Sequence, residues 1–436
     1  MPRSPLRAII DIRRDELPLA LLMFAYFFMV ITSFWILKPI KKALFIQHYD
    51  QAGFTLMTWT LTASQAELLA KVLNMVVAFV AVAVFTWLAR FYRRQRLALL
   101  FTAFFLACYV AYMPVIDHLG DGVVWSFYLF GDLFSTLMVA TFFAFLNDSV
   151  TPEAAKRLYG LIGLGGVTGG VFGATAVRAF ISSLSNSQWL WVCAVIAVLI
   201  AVVAYSAGRI VDGQQMGRSA AKPAEPEGAG GSAAIEGARI VFHSPYLLSI
   251  VAIVGLYEIV STVMDFQFTS SVSHYLEGKA IGEQFSTVFA ITNVVSMIVQ
   301  LFMTSFVMTR FGVGAALLVL PVAALSGSVG FMALPTLWMG SALNTIDNAF
   351  SYSINQSAKE ALYVPTTQDE KYKAKAFIDM FVQRFAKAVA VGVSLTITTI
   401  FNDFSSVRWL SLFTAAVVGL WIVAARYAGA RFNRMT

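Results

Sequence analysis

Apolar runs of about 20 residues follow one another along this chain, and this repetition constrains the fold more than any other feature. An α-helix needs a run of about that length to cross the hydrocarbon core of a bilayer, where every backbone polar group must be paired within the protein. Hydrophobic residues make up 58% of the chain and charged residues only 13%, a composition that excludes a soluble enzyme. The runs lie at about 17–37, 66–89, 97–116, 123–146, 158–182, 187–208, 246–268, 284–309, 312–333, 335–356, 376–401 and 407–426.

The runs form two groups, with about six in each half of the 436-residue chain. Between the groups lies the segment GRSAAKPAEPEGAGGSAA, which is rich in Gly, Ala, Pro and Ser and predicts a flexible linker over residues 209–240. We therefore expect six-helix bundles at 1–208 and 241–436. This layout resembles that of major-facilitator carriers, whose halves rock around a substrate site near the midplane. The predicted fold class is an all-α polytopic membrane protein with about twelve transmembrane helices in a major-facilitator-like arrangement.

The basic residues predict an orientation. With the N-terminus in the cytoplasm, most of the 31 Lys and Arg residues fall in cytoplasmic segments, as the positive-inside rule requires. We therefore expect a bacterial inner-membrane protein with both termini cytoplasmic, and a first helix that is retained rather than cleaved. The net charge of +7 reflects this orientation, so the expected partner is the lipid bilayer and not nucleic acid.

Some basic residues fall outside the predicted cytoplasmic segments, so the positive-inside rule does not explain their positions. They are Lys38, Lys41, Lys42, Lys71, Arg178, Lys279, Arg384, Lys387 and Arg408. Lys38, Lys41 and Lys42 have i, i+3, i+4 spacing, which places them on one face of the first helix. An anionic substrate would explain them; alternatively, they reach the outer interface or pair with an acid such as Asp50. Pro39 should kink or end this helix.

The first half contains further features that predict helix contacts. Glu67 and Lys71 are four residues apart and predict an ion pair within one helix. Asp132 and Arg178 are isolated charges in apolar runs and should face the bundle interior. The glycine pairs 166/170 and 169/173 have the spacing that allows close helix packing.

The second half carries more polar residues within its apolar runs. Glu258 and Asp265 are seven residues apart on one helix face, which favours a proton or substrate relay about as much as two acids satisfied separately. The tenth run has a polar stripe expected to line water or substrate, with a hydrogen-bonded seam between helices as the alternative. The stripe consists of Asn344, Asp347, Asn348, Ser351, Tyr352, Asn355 and Gln356.

The eleventh run has basic residues at its entrance and inside it. Lys375 and Asp379 can pair at i, i+4. Arg384 and Lys387 lack a nearby carboxylate in their own helix. They therefore need an acid on another helix, such as Asp265 or Asp347, or an anionic substrate, which we favour.

No enzymatic constellation is visible in the sequence. The four histidines are far apart, and the two cysteines lie inside apolar runs. No phosphate-binding G-x-x-x-x-G-K-[ST] loop occurs. We expect neither catalysis nor a metal or cofactor.

The segment SAKEALYVPTTQDEKYKAKAFIDMFVQRFAKAVAVG, residues 357–392, resembles the signature of the non-mitochondrial ATP/ADP translocases of plastids and intracellular bacteria, K-E-x-A-Y-I-P, K-x-K-G-K-A-x-I-D and G-K-S. FLNDSVTPEAAKRLYGLIGLGG, QAELLAK and ILKPIKKALF in the first half resemble other segments of that family more loosely. Pro39 and Lys42 stand where the family has aspartates, which indicates a divergent bacterial member.

The resemblance implies a nucleotide carrier in which Lys41, Glu153, Asp265 and Lys375 or Lys387 are needed for transport. Our leading hypothesis is a secondary carrier of organic anions that exchanges nucleotides by alternating access. The alternatives are a paralogue that carries another anionic metabolite or a lipid headgroup, coupled to protons through Glu258 and Asp265, and a scaffold or sensor without transport. The candidate substrate-binding residues are Lys38, Lys41, Lys42, Glu153, Glu258, Asp265, Asn344, Asp347, Asn348, Lys375, Asp379, Arg384 and Lys387.

Overall fold

The computed structural model describes residues 13, 16–56, 58–118, 120–150, 152–215, 231–367, 374–375, 377–401 and 404–435. Long α-helices dominate these residues, with one short β-hairpin. The first part of the chain forms α1 (Leu17–Tyr49), β1 (Phe54–Leu56), β2 (Trp59–Leu61), α2 (Ala63–Leu88), α3 (Arg94–Tyr112), α4 (Asp121–Ser149), α5 (Pro152–Phe180) and α6 (Asn186–Gln215). The rest forms α7 (Gly231–His243), α8 (Pro245–Tyr275), α9 (Lys279–Ile298), α10 (Ser305–Ala333), α11 (Leu337–Phe350), α12 (Gln356–Ala361), α13 (Gln383–Phe401) and α14 (Leu410–Met435).

The helices bear out the fold class predicted from the apolar runs. Within the described residues, 10 helices are long and apolar enough to cross a membrane. One of them is the 55-residue stretch Lys279–Ala333, which is interrupted at Gly312 by a non-helical backbone with φ of 82°. Because only glycine adopts this conformation without strain, Gly312 separates the two spans that the sequence predicts here.

Three π-helical segments interrupt or begin helices in the second half of the chain. They are Val299–Thr304 between α9 and α10, Ser351–Asn355 between α11 and α12, and Ile378–Val382 before α13. A π-helical turn holds more residues than an α-helical turn, so side chains beyond it point in different directions from those that an uninterrupted α-helix would give.

The described chain forms two compact units. The first comprises Met1–His48, Leu73–Ala224 and Phe285–Ala290. Its core is strongly aromatic, with Tyr26, Phe105 and Phe142 fully buried. Phe142 makes an edge contact with Tyr26 at a ring-centroid distance of 5.1 Å.

The second unit comprises Tyr49–Val72, Glu225–Gln284 and Ile291–Thr436. In it, α8 packs against α11, α13 and α14. Trp421 and Phe266 are buried in its core. This packing makes α8 the helix around which the polar side chains of the second unit are arranged.

The predicted linker of residues 209–240 needs correction at both ends. α6 continues to Gln215, and α7 begins at Gly231. The alanines and the apolar residues near 235–243 favour helix, which outweighs the small and polar residues around them. Residues 216–230 lie outside the described part of the chain.

Glycine packing between α1 and α5 confirms the prediction of close helix contact. A Cβ atom on Gly165 or Gly173 would lie 2.6 Å from the carbonyl oxygen of Phe24 or Thr32 on α1. The Thr32 hydroxyl donates a hydrogen bond to the Gly169 carbonyl at 3.2 Å. These glycines therefore allow the two backbones to touch.

Pro39 does not end the first helix, because α1 continues to Tyr49. A proline in a helix interior removes one backbone hydrogen bond, but a long helix packed on its neighbours tolerates that loss. As a result Lys38, Lys41 and Lys42 are held on one continuous helix.

Candidate functional site

The three lysines of α1 lie inside the first unit. Lys41 and Lys42 are only 5% and 4% exposed. Lys41 forms an ion pair with Asp132 of α4. The burial of Lys41 and Lys42 and the pairing of Lys41 with Asp132 therefore contradict the alternative in which these two lysines reach the outer interface.

Aromatic rings surround the same ammonium groups. Lys38 Nζ lies 4.5 Å from the ring centroid of Trp35 and 5.0 Å from that of Phe289. Such cation–π contacts stabilise a cation that has left bulk water. Lys41 Nζ lies 4.5 Å from the Tyr128 ring, and Lys42 Nζ lies 5.3 Å from the Phe285 ring. We call Lys38, Lys41, Lys42, Asp132, Trp35, Tyr128, Phe285 and Phe289 the α1 lysine cluster.

Gly131 makes room for this cluster. A Cβ atom at position 131 would lie 2.6 Å from the Cδ atom of Lys41. The lysine stem therefore runs directly over the α4 backbone beside Asp132, which fixes where its ammonium group lies.

A second polar group is centred on α8 in the second unit. Asp265 forms an ion pair with Lys71 of α2 and accepts a hydrogen bond at 3.1 Å from Asn344 of α11. Lys71 also lies 3.7 Å from the carboxylate of Glu67. The pairing of Glu67 with Lys71 is thus confirmed, but the closer partner of Lys71 is Asp265.

Other residues of α8 and α11 extend this group. The Ser261 hydroxyl donates a 2.6 Å hydrogen bond to Asp347, and the Asn348 amide donates to the Asn344 carbonyl at 2.9 Å. Asn344 is 1% exposed, and in the described part of the chain its side-chain oxygen has no hydrogen-bond partner. A buried amide oxygen of this kind is available to a donor that the protein does not supply.

Lys387 of α13 completes the group through a 3.0 Å ion pair with Glu258 of α8. The sequence predicts an acid on another helix, such as Asp265 or Asp347, or an anionic substrate; the acid found is on another helix but is neither of those two examples. We call Glu67, Lys71, Glu258, Ser261, Asp265, Asn344, Asp347 and Lys387 the α8 carboxylate network. Its members include more carboxylates than ammonium groups.

Several other predicted site residues lie elsewhere. Lys375 pairs with Glu360, whose two carboxylate oxygens lie 2.7 and 2.8 Å from its ammonium group. The predicted partner Asp379 lies outside the described side chains, as does Glu153 of α5. Arg384 is half-buried on α13.

One prediction about side-chain direction is wrong. Arg178 is exposed rather than interior, because it lies in the last turn of α5, where a long side chain can reach polar surroundings. Tyr352 and Gln356 are also exposed, whereas Asn344, Asp347 and Asn355 are buried. Tyr352 nonetheless lies near Asp347, Asp265 and Glu258, so the π-helical segment Ser351–Asn355 does not turn it away from the α8 carboxylate network. That the stripe lines water or substrate stays a prediction.

The sequence reasoning missed several residues of these clusters. The sequence predicts that Asp132 faces the interior but does not predict its pairing with Lys41. A lone charge in a membrane span needs a partner, and this requirement could have pointed to a basic residue on another helix. Phe285, Phe289 and Ser261 gave no signal, since aromatic and serine side chains are common in membrane helices.

The fold and these buried charges define a polytopic α-helical membrane protein of the major-facilitator type. The fold is similar to a nucleoside transporter, NupG (TM-score 0.63, 13% identity, 96% of this chain and 99% of that one). It is also similar to an auto-inhibited peptide transporter of the POT family (TM-score 0.65, 12% identity, 96% and 97%).

The family model of the TLC ATP/ADP transporter matches residues 118–337 and 334–432. The chain belongs to this family. It is 23% identical over 343 residues to the plastidic ATP/ADP-transporter of Solanum tuberosum, an alignment that covers 72% of this chain and 54% of the plant protein. It is also 23% identical to ADP,ATP carrier protein 1 of Chlamydia pneumoniae, covering 69% of this chain and 65% of that protein. The chain thus spans little more than half the length of its plastid relative.

Proposed function

We propose that this protein is a secondary membrane carrier that exchanges nucleotides, ATP against ADP, by alternating access. The observation that carries the proposal is the α1 lysine cluster, in which ammonium groups of a membrane helix lie among aromatic rings. Phosphates need cations, and purine bases stack on aromatic rings. The family match and the relatives named as ATP/ADP carriers support the same substrate class.

In this proposal, Lys38, Lys41 and Lys42 attract the phosphates. A bound nucleotide competes with Asp132 for Lys41, so the ion pair holds the lysine in place when no nucleotide is bound. Exchange of one nucleotide for another needs no hydrolysis, and we propose that the chain is a carrier and not an enzyme.

We also propose an arrangement in the membrane. The six-helix bundles of residues 1–208 and 241–436 move as the carrier's two halves, and both termini lie in the cytoplasm of a bacterial cell. The distribution of basic residues supports this orientation.

The test is uptake of labelled ATP into proteoliposomes that contain the purified full chain. Vesicles are preloaded with ADP, preloaded with phosphate or left empty. We expect uptake only with internal ADP, loss of at least about 90% of uptake in Lys41→Gln, since charge-assisted contacts to phosphate are strong, and normal uptake in the exposed control Lys279→Gln. Equal uptake into empty vesicles would contradict exchange.

A second candidate function is proton-coupled transport of another anionic metabolite or a lipid headgroup. The α8 carboxylate network favours it, because Glu258, Asp265 and Asp347 outnumber the nearby lysines and could hold a proton. In this case uptake would need no internal ADP and would collapse on addition of a protonophore. ADP-dependent uptake that a protonophore leaves unchanged would exclude it.

A further inference from the structure

A cavity separate from both clusters lies in the second unit. Its volume is about 430 Å³, a size typical of sites that bind small organic molecules. The hairpin region 49–65, the C-terminal part of α8, α13 and the segment before α14 provide its walls. None of its lining residues belongs to the α8 carboxylate network.

The described residues that line the cavity include no lysine or arginine, so none of them is a permanent cation for an anion there. Its acidic group is Asp50, which follows the last residue of α1. The Asp50 carboxylate accepts a 3.4 Å hydrogen bond from Ser273. Burial raises the pKa of Asp50, the Ser273 hydrogen bond lowers it, and the nearby Glu277 carboxylate raises it. A cation in the cavity would therefore relieve an unfavourable negative charge.

Two serine hydroxyls in the lining have unmet hydrogen-bonding capacity. Ser270 and Ser406 are 5% and 2% exposed, and neither hydroxyl has a hydrogen-bond partner among the described residues. Buried hydroxyls are normally paired, so these two are available to a bound molecule. A serine hydroxyl can accept hydrogen bonds from an ammonium group.

Stacked rings form another part of the wall. The rings of His274 and Phe404 lie parallel, with centroids 4.0 Å apart and an interplanar angle of 7°. The face of an aromatic ring attracts ammonium groups and also covers alkyl chains. Charge, hydroxyls and rings together favour an organic cation over an inorganic ion, which would need a closer shell of oxygen ligands.

We propose that this cavity binds an organic polyammonium cation, with Asp50 as its counter-charge and the Ser270 and Ser406 hydroxyls as hydrogen-bond acceptors. The site does not depend on nucleotide transport and is tested without it. The probe is spermidine, titrated calorimetrically into the purified full chain in detergent. Its matched neutral probe is 1,8-octanediol, which has a similar length and no charge.

We expect spermidine to bind and octanediol not to bind. Asp50→Asn should weaken spermidine binding at least about tenfold, since hydrogen bonds to charged groups are the strong ones. This variant should fold, because the amide removes a disfavoured buried charge and can still accept from Ser273. The control Asp117→Asn replaces an exposed acid that is not among the lining residues and should bind spermidine normally.

Ser270→Ala and Ser406→Ala provide a second readout. Because their hydroxyls have no partner to lose, each variant should keep its thermal stability without ligand and bind spermidine several times more weakly. Unchanged affinity in Asp50→Asn would overturn the proposal. Equal binding of octanediol, or full competition by Mg²⁺ at equal concentration, would overturn the assignment to an organic polyammonium cation.

Discussion

Variants of the Lys41–Asp132 ion pair can distinguish the contribution of Lys41 to stability from its contribution to transport. Lys41→Gln leaves the half-buried Asp132 without its counter-charge and should lower the free energy of unfolding by about 1–3 kcal/mol. The double variant Lys41→Gln/Asp132→Asn removes both charges and should recover most of that stability. Thermal unfolding in detergent checks this.

We expect the double variant to remain inactive in ATP uptake although it is well folded. Lys41→Arg/Asp132→Glu keeps both charges and serves as the control for altered packing. Restored uptake in the neutral double variant would show that Lys41 acts only by pairing with Asp132.

Asp265 connects Lys71 of α2 with Asn344 of α11, and its charge can be removed at nearly constant shape. Asp265→Asn should reduce transport more than tenfold while lowering the free energy of unfolding by only about 1–3 kcal/mol, because Lys71 keeps Glu67 at 3.7 Å. Uptake and thermal unfolding are measured on the same preparation. Glu277→Gln, an exposed acid after α8, is the control, and an active Asp265→Asn would remove Asp265 from the transport mechanism.

At the scale of elements, the contact between α1 and α5 can be tested with glycines of one helix. Gly173→Ala places a Cβ 2.6 Å from the Thr32 carbonyl oxygen and should cost about 1–3 kcal/mol of stability through overpacking. Gly163→Ala meets nothing within 4 Å, so it should be neutral or stabilise the helix by about 0.5–1 kcal/mol. Thermal unfolding compares the two, and equal stabilities would mean that the contact is looser than described.

The elements also show how far the sequence can predict this structure. Hydropathy predicts the spans because the bilayer requires long apolar helices, and glycine spacing predicts the contact of α5 with α1. The spacing of hydrophobic and polar residues assumes 3.6 residues per turn, so it does not predict the π-helical segment that follows Phe350.

The candidate site was predictable in its residue types but not in its pairings. Isolated charges in apolar runs identify Lys41, Asp132, Asp265 and Lys387 as residues that need a partner. Which acid meets which base depends on helix rotation and depth, and the sequence does not contain these quantities. The structure pairs Lys387 with Glu258 and Lys375 with Glu360.

At the scale of the whole molecule, family membership and buried charge point to the same activity. A carrier that neither hydrolyses ATP nor uses an ion gradient must return one nucleotide for each one that it takes up. In the proposed carrier, the α1 lysine cluster supplies cations for phosphates, and Lys71 and Lys387 of the α8 carboxylate network pair with Asp265 and Glu258.

The most direct test of this account is the stoichiometry of exchange in one vesicle preparation. External ATP and internal ADP carry different isotopes, and ATP entry and ADP exit are counted over the same interval with and without a protonophore. The account predicts equal molar amounts in both directions and no effect of the protonophore. ATP entry without ADP exit, or entry that the protonophore abolishes, would contradict it.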